Sequence, residues 1–293
     1  MTDLRKPENL VDLERYPLSR PGTSLYEDLV DNVRASLSEE GSASLHGFLR
    51  PEGVELMAFE AEALAPLAYP GPTEATPYFF NYDIGGDVEA DHPTRRRGRR
   101  ALSQVAYDLI PTESALYRLY HWPVLPAFLA HVFGHEMLYQ AADPYQSLNI
   151  SVMDEGGCQQ WHFDKSRFVT TLLVQAPESG GEFEYIPNLR EDTDEHFERV
   201  KAVLDGAVRG LRRIVIEPGT LNLFKGHYSM HRVTEVRGSR RRLQTILGYS
   251  PEPNVQGSLK SSILHYGPRV AVRERMSPAQ MRALFADNGA TAS

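Results

Sequence analysis

The sequence has little cysteine and no long apolar run, and both deficits exclude classes of protein. Cys158 is the one cysteine in 293 residues, which excludes an intramolecular disulfide and a cysteine-based zinc site and is typical of a reducing compartment. No run of 18 consecutive apolar residues occurs, so the sequence predicts no membrane span. The opening residues, MTDLRKPENLVDLERYPL, contain no apolar segment after the basic residues, and a cytoplasmic location is expected.

Positive charge is also scarce. The chain has 31 Lys and Arg against 39 Asp and Glu, a net charge of -8, which argues against a general nucleic-acid surface. The basic cluster is local: Arg95, Arg96, Arg97, Arg99 and Arg100. An apolar content of 41% and a charged content of 24% are typical of a globular protein with a sizeable core. We therefore expect one domain over residues 1–293, with no nucleic-acid or membrane partner.

The first half of the chain has the periodicity of helices around one long loop. Residues 1–22 are polar and contain proline, which predicts an N-terminal arm. Residues 23–140 predict mainly helical support, interrupted at 68–98 by a segment rich in Pro, Gly and aromatic residues that is typical of a substrate loop. The first helix has apolar positions that share one face: Leu25, Leu29, Val33 and Leu37. Further helices are predicted from Pro51, over 100–112 and over 123–134.

Residues 141–255 have the composition of strands. Short runs of β-branched and aromatic residues are separated by Gly, Pro and Asp: SLNISVM, FVTTLLVQ, GEFEYIP, RRIVIEP, TLNLFKG and LQTILGYS. One helical insert is predicted at 192–206, and a last helix at 277–287 lies in the C-terminal segment 256–293. This order predicts a mainly β protein, with helices outside an antiparallel core that closes as a barrel or a two-sheet jelly roll.

A histidine and an aspartate two residues apart open one of these strand-like runs, WHFDKSRFVTTLLVQAP. Side chains at i and i+2 share one face of an extended chain, so His162 and Asp164 are either part of a metal site or a solvent-exposed pair. His231 follows Asp164 by 67 residues on a later strand. Two histidines and one carboxylate are the usual protein ligands of non-haem Fe(II). The nearby His227 is the alternative distal ligand.

An arginine lies about ten residues beyond the distal histidine. Arg242 fits this spacing, with Arg241 as the alternative, and a guanidinium there could hold a dicarboxylate by paired hydrogen bonds. Strand alternation places Arg242, Gln244, Ile246 and Gly248 on one face and the more apolar Leu243, Thr245 and Leu247 on the other. We therefore expect the first face to line a cavity and the second to pack against helices.

Two other groups of residues are expected to have no metal-binding or catalytic role. His196 and Glu198 lie in the predicted helical insert, where side chains at i and i+2 point apart, so they cannot chelate one ion. Cys158 lacks a base and an orienting group around it, and a buried packing role is expected.

The series Asn149, WHFD at 161–164, FVTTLLVQ, GGEFEYIP, PGTLNLFKG, His231 and the arginine cluster resembles the Fe(II)/2-oxoglutarate-dependent oxygenases. More narrowly, it resembles the BesD-like group of carrier-free amino-acid halogenases and hydroxylases, including the stretches at 78–96. The resemblance implies a double-stranded β-helix and Fe(II) bound by His162, Asp164 and His231. It also implies 2-oxoglutarate on Arg242 or Arg241 beside Asn149, with O2 consumed and succinate and CO2 released.

The aspartate separates the two outcomes of that group. Its halogenases carry Gly or Ala at this position, which vacates a coordination site for halide, whereas this chain has Asp164. The resemblance therefore implies a hydroxylase. The alternatives are an oxygenase acting on a larger natural-product intermediate or a protein residue, and a non-catalytic metal-binding jelly roll.

The substrate is expected to be a small molecule, such as a free amino acid. The lysine-acting relatives carry an acidic residue where this chain has Lys165, so a neutral or acidic substrate is favoured unless Lys165 points to solvent. Arg95 or Arg96 would bind the substrate carboxylate, or else belong to a solvated basic loop. Three further residues are expected to border the cavity, although the last could be core: Gln159, Gln244 and Trp161.

Overall fold

The computed structural model describes residues 3–79 and 88–286, in which two antiparallel β-sheets are flanked by helices. The helices are α1 (Pro7–Leu10), α2 (Ser24–Glu39), α3 (Pro51–Leu64), α4 (Ala115–Tyr120), α5 (Val124–Phe133), α6 (Phe197–Leu204), α7 (Leu259–Tyr266), α8 (Arg269–Arg273) and α9 (Pro278–Ala286). None of these helices within the described ranges is long and apolar enough to cross a membrane.

The strands are numerous and short. In chain order they are β1 (Ser42–Leu45), β2 (Tyr69–Pro70), β3 (Glu74–Ala75), β4 (Gly98–Ala101), β5 (Ser103–Val105), β6 (Tyr139–Gln140), β7 (Leu148–Met153), β8 (Cys158–His162), β9 (Val169–Gln175), β10 (Ser179–Gly180), β11 (Phe183–Ile186), β12 (Arg212–Ile214), β13 (Leu221–Phe224), β14 (Met230–Val233), β15 (Val236–Arg237), β16 (Arg242–Leu247) and β17 (Tyr249–Ser250). The larger sheet has the order β1-β13-β9-β16-β7-β5-β2, and the smaller has β12-β11-β14-β8-β4-β3. This is a double-stranded β-helix, or jelly roll, and the predicted fold class is confirmed.

The two faces of the larger sheet differ in polarity. Its outer face packs on the N-terminal helices through a continuous apolar cluster that includes Leu148, Ile150, Leu172, Leu243 and Leu247 from the sheet and Met57, Phe128 and Leu129 from the helices. Its inner face carries polar residues in register across β16 and β7, since Gln244 pairs with Ser151 and Ile246 with Asn149. The outer face therefore holds the fold together, and the inner face places buried polar side chains between the sheets.

The segment at 100–112 was predicted as a helix, and that prediction was wrong. Its residues form the end of β4, the strand β5 and a single 3-10 turn at Tyr107–Leu109. β4 pairs with β8 of the smaller sheet and β5 pairs with β7 of the larger. These long-range pairings outweigh the local helical pattern, and they carry the chain from one sheet to the other.

Two further details of the N-terminal half differ from the sequence prediction. Leu25 is 63% exposed, and Tyr26 (1% exposed) takes its place on the buried face of α2. Within the arm at 1–22, Leu10 and Val11 are fully buried, and Val11 forms a β-bridge with Leu49. The described part of the arm is therefore packed against the core. The predicted loop at 68–98 contains β2 and β3, and its residues 80–87 lie outside the described residues.

Candidate metal centre

Two histidines face each other across neighbouring strands of the smaller sheet. His162 ends β8, His231 lies in β14, and the two are cross-strand partners whose ring centroids are 4.0 Å apart. Asp164 follows β8, and its Oδ2 lies 3.4 Å from Nε2 of His231. One ligand atom from each of the three residues lies within 4.8 Å of the others, the one such group in the described ranges. The fold thus brings together the three residues expected to bind a metal.

Each histidine ring is oriented by its own backbone. Nδ1 of His162 lies 2.8 Å from the carbonyl oxygen of Gln160, and Nδ1 of His231 lies 2.9 Å from that of Ser229. Because a carbonyl oxygen accepts hydrogen bonds, Nδ1 carries the proton in both rings and Nε2 keeps its lone pair. Burial lowers the pKa of His162 to about 3 and that of His231 to about 4. Both rings are neutral at pH 7, the form that ligates a metal ion.

The carboxylate of Asp164 lies in a space that a glycine leaves free. The backbone N–H of Asp164 donates to the carbonyl oxygen of Gly226 at 2.9 Å. A Cβ atom on Gly226 would lie 1.8 Å from Oδ2 of Asp164, although Gly226 is not among the glycines with positive φ. Burial raises the pKa of Asp164, and a cation held by the three ligands would favour the charged carboxylate. Gly226 is thus required by the neighbouring carboxylate and not by its own backbone conformation.

Arg242 is a buried cation whose partners are neutral. Its Nε donates to the carbonyl oxygen of Gly181 at 3.1 Å, and its Nη2 donates to Oε1 of Gln244. Gly181 lies two residues before Phe183, whose ring centroid is 5.4 Å from that of His231. Arg242 is 3% exposed, and burial lowers its pKa to about 10, so it stays charged at pH 7. Such a guanidinium, with no acidic partner in the described chain, suits an anionic ligand.

The side chain of the neighbouring Arg241 is paired with two carboxylates. Its Nε lies 3.0 Å from Oδ1 of Asp154 and 3.5 Å from Oε1 of Glu62. The alternation expected for β16 is confirmed, because Leu243 and Leu247 belong to the outer apolar cluster. Of the two arginines, Arg242 is therefore the one on the inner face of the larger sheet.

A second buried cation, Arg100, was missed by the sequence reasoning. It lies in β4, is 4% exposed, and its Nε is buried with no hydrogen-bond partner among the described residues. Its Nη2 donates to Oε1 of Gln104 at 3.0 Å, and its Nη1 to the carbonyl oxygen of Pro72 at 3.4 Å. Burial lowers its pKa to about 10. The signal that could have found it is strand alternation in GRRA at 98–101, where Arg99 is exposed and Arg100 is buried.

Arg100 lies close to the metal ligands. It pairs in register with Gln159 of β8, and both line a small cleft together with Phe79, Gln160 and His162. Its positive charge adds to the effect of burial in lowering the pKa of His162. A ligand carboxylate in this cleft would meet a charged donor beside the metal site.

Asn149 belongs to the network of Arg100. Its Oδ1 accepts from Nε2 of Gln104 at 3.2 Å, and Gln104 in turn accepts from Arg100. Its cross-strand partner is Ile246, four residues along β16 from Arg242. In the described structure Asn149 makes no hydrogen bond to Arg242. Its expected position beside 2-oxoglutarate therefore stays a prediction.

The remaining residues expected to contact the substrate differ in burial. The ring of Trp161 belongs to a buried cluster with Val200 of α6, and the Cζ of Arg232 lies 4.7 Å from its centroid. Trp161 also lines the small cleft beside Gln159 and His162, so its place in the core and its place at the cleft border are both observed. Lys165 and Arg95 are exposed.

The expectation that Arg96 reaches the cavity is not met. It donates to the carbonyl oxygen of Leu204 at 3.0 Å and forms an ion pair with Asp205. These contacts anchor it at the C-terminal end of α6, because both partners lie there.

The other groups considered in the sequence take no part in the triad. Nδ1 of His227 lies 3.1 Å from Nη2 of Arg190. His196 is the N-cap of α6, and its Nδ1 lies 3.0 Å from Oδ2 of Asp194. Cys158 is 1% exposed, and burial raises its thiol pKa, as expected of a packing residue.

A family model described as Halogenase D matches residues 86–263. The matched region is more than half of the chain and contains the three candidate ligands and both buried arginines, Arg100 and Arg242. The chain belongs to the Halogenase D family. The resemblance seen in the sequence to a group of halogenases and hydroxylases agrees with this assignment at the level of the family.

Members of other families share the jelly roll of this Halogenase D chain. The non-heme alpha ketoglutarate dependent carbocyclase SnoK is 13% identical with a TM-score of 0.52, covering 86% of this chain and 92% of SnoK. AviO1 from Streptomyces viridochromogenes Tue57 is 14% identical with a TM-score of 0.52, covering 78% and 97%. The epimerase SnoN, solved with Fe3+, alpha ketoglutarate and nogalamycin RO, is 15% identical with a TM-score of 0.51, covering 76% and 84%. No curated protein matches the chain.

Gly226→Ala should weaken metal binding, because the added methyl group would overlap Oδ2 of Asp164. We expect the dissociation constant for Co(II), read from the visible absorption of the Co(II) protein, to rise about tenfold or more. In an Asp164→Gly background no carboxylate remains to be displaced, and the same glycine substitution should add little. An equal loss in both backgrounds would contradict this account.

Proposed function

We propose that the protein is an Fe(II)- and 2-oxoglutarate-dependent dioxygenase that hydroxylates an unactivated C–H bond of a small molecule, a free amino acid or a close derivative. The observation that carries the proposal is a group of two histidines and one carboxylate beside a buried arginine that lacks an acidic partner. This donor set is typical of non-haem Fe(II) and leaves three coordination positions open. When bound, the iron and 2-oxoglutarate supply the activation of O2, with succinate and CO2 as co-products.

Arg242 is proposed to hold the distal carboxylate of 2-oxoglutarate. The carbonyl oxygen of Gly181 and the amide oxygen of Gln244 fix its guanidinium by accepting from Nε and Nη2. Nη1 has no partner among the described residues, so it is free to donate to a carboxylate. The presence of alpha ketoglutarate and Fe3+ in the structurally similar SnoN supports the choice of cosubstrate.

Arg100 is proposed to bind the carboxylate of the substrate, a role expected from the sequence for Arg95 or Arg96. The residue lines the cleft beside His162 and lacks an acidic partner among the described residues, and a carboxylate in that cleft would compensate its charge. Gln159, its partner in β8, supplies an amide on the same side. Lys165 is exposed beside Asp164, and a cation there favours a substrate whose side chain is neutral or acidic.

Asp164 favours hydroxylation over halogenation. Its carboxylate fills the coordination position that the halogenases of the related group leave for a halide, and its seat against Gly226 has no room for further atoms. A second anion at that position would also meet the charge of the carboxylate. The family name alone therefore does not decide the reaction of this member.

The proposed reaction has a direct assay. Anaerobic addition of Fe(II) and 2-oxoglutarate should give a visible charge-transfer band. Admission of O2 with a panel of free amino acids should give succinate and a product heavier by one oxygen atom. Absence of the band would overturn the cofactor assignment, and a chlorinated product from the wild-type protein in chloride would overturn the hydroxylase assignment. Succinate released to the same extent with every amino acid would favour a larger substrate.

Arg242→Met should raise the KM for 2-oxoglutarate by at least about 30-fold, because loss of a buried charge pair costs roughly 2–5 kcal/mol. Arg241→Met is the matched control, since its side chain pairs with Asp154 and Glu62, and it should change this KM by less than about threefold. The succinate assay measures both variants. The reverse ranking would assign the cosubstrate to Arg241.

Arg100→Met should raise the KM for the amino-acid substrate about tenfold or more, because it removes the proposed carboxylate donor. The slow turnover of 2-oxoglutarate without substrate should persist, since Arg242 is untouched. Arg99→Met is the neighbouring control, because Arg99 pairs with Glu235 at 2.9 Å on the exposed side. An unchanged substrate KM in Arg100→Met would refute the role of Arg100.

A further inference from the structure

Arg190 is a buried cation that touches the loop after β8, which carries Asp164, and the loop before β14, which carries His231. It lies after β11, is 5% exposed, and its Nη1 donates to both carboxylate oxygens of Glu195, at 3.1 and 2.9 Å. Its charge is therefore compensated within the protein, unlike those of Arg100 and Arg242. A paired buried arginine is not available to a ligand, so its remaining contacts indicate its role.

The first contact is with the loop that follows β8. The Cζ of Arg190 lies 4.3 Å from the ring centroid of Phe163, the residue between His162 and Asp164. That ring is 1% exposed and stacks on Tyr78 with centroids 5.5 Å apart. A guanidinium over the face of a buried ring is attracted by its π electrons. Arg190 therefore restrains the residue that joins two of the proposed ligands.

The second contact is with the loop between β13 and β14. Nε of Arg190 donates to the carbonyl oxygen of His227, and its Nη2 donates to Nδ1 of the same residue at 3.1 Å. The backbone N–H of Arg190 also donates to the carbonyl oxygen of Tyr228 at 3.2 Å. This loop contains Gly226, against which Asp164 lies, and it leads into β14, which carries His231.

The backbone beside His227 connects the two loops. The carbonyl oxygen of the adjacent Gly226 accepts from the backbone N–H of Asp164 at 2.9 Å, and the carbonyl oxygen and Nδ1 of His227 accept from Arg190. Burial lowers the pKa of His227, which favours the neutral ring that can accept at Nδ1. The segment 226–227 therefore contacts both Arg190 and the backbone that carries the Asp164 side chain.

We propose that Arg190, held by Glu195, is a positioning residue that joins loop 163–165 to loop 226–228 through His227. In this way it fixes Asp164 relative to His231. The inference rests on the metal centre of the proposed function and assigns part of its geometry to residues that do not bind the metal. Removing such a support lowers metal affinity about 10–100-fold in other metal sites.

A general loss of stability is the competing explanation, and the chain offers a control for it. Arg269 also combines an ion pair with an aromatic contact: it makes two hydrogen bonds of 2.8 Å to Asp108, and its Cζ lies 5.8 Å from the ring centroid of Tyr145. It belongs to the C-terminal helix α8 and contacts neither ligand loop in the described structure. Arg269→Met therefore removes similar interactions without touching the metal centre.

The test compares Arg190→Met, Arg190→Lys and Arg269→Met by Co(II) titration, visible spectrum and Tm. We expect both methionine variants to lower Tm. Arg190→Met alone should raise the Co(II) dissociation constant about tenfold or more and change the visible bands, which report ligand geometry. Arg190→Lys keeps the positive charge but loses the planar guanidinium and its several N–H donors, so we expect a Co(II) affinity between those of the wild type and Arg190→Met. Wild-type Co(II) affinity and spectrum in Arg190→Met would overturn the inference.

A second pair of variants keeps the test decisive if Arg190→Met does not fold. His227→Ala removes the side-chain acceptor of Arg190, whereas the amide oxygen of His227→Gln can still accept from Arg190. We expect the alanine variant to lose Co(II) affinity and the glutamine variant to restore much of it. Equal, wild-type binding by both would overturn the positioning role alone. Failure of the wild-type protein to bind Co(II) would instead overturn the metal centre and this inference together.

Discussion

The geometry of the site depends on one irregular pairing between two strands of the smaller sheet. His231 pairs with His162, but two residues further along β14 Val233 pairs with Gln159, three residues back in β8. The extra residue in β8 is a bulge, which re-aims side chains relative to a regular strand. Because of it, Gln159 and His162 line one cleft. Without the bulge, strand alternation would put Gln159 and His162 on opposite faces.

Two of the three buried arginines lack an acidic partner among the described residues. Arg190 is compensated by Glu195, but Arg100 and Arg242 are bonded to neutral oxygens. Taking an ion out of water costs several kcal/mol unless a partner of opposite charge replaces the solvent. Two carboxylate-bearing ligands would supply the missing partners, so cosubstrate and substrate should stabilise the fold as they bind. The polar inner face of the larger sheet, including Ser151 and Asn149, is consistent with a cavity built to be filled by polar molecules.

The sequence predicted those features of the site that depend on local periodicity. Alternation along β16 was sufficient to put Arg242 on one face and Leu243 on the other, and the spacing of the triad followed from strands that bring distant residues together. Alternation in GRRA separates the buried Arg100 from the exposed Arg99, but the place of Arg100 beside the candidate site depends on pairing with Gln159, far along the chain. The residue pattern at 100–112 favours a helix, so the strand that contains Arg100 was not recognised. The shared cleft of Gln159 and His162 depends on the bulge, which has no signature in the sequence of β8.

The identity of the ligand at position 164 has consequences beyond the coordination sphere. A carboxylate there needs both an empty neighbour, which Gly226 provides, and a loop held closely enough to aim it, which the contacts of Arg190 and His227 provide. Replacing Asp164 by a smaller residue would remove the ligand but leave this supporting structure unchanged. The contacts that position a carboxylate would then remain, although no carboxylate is present. For this reason, the residue at 164 and its supports form one structural unit.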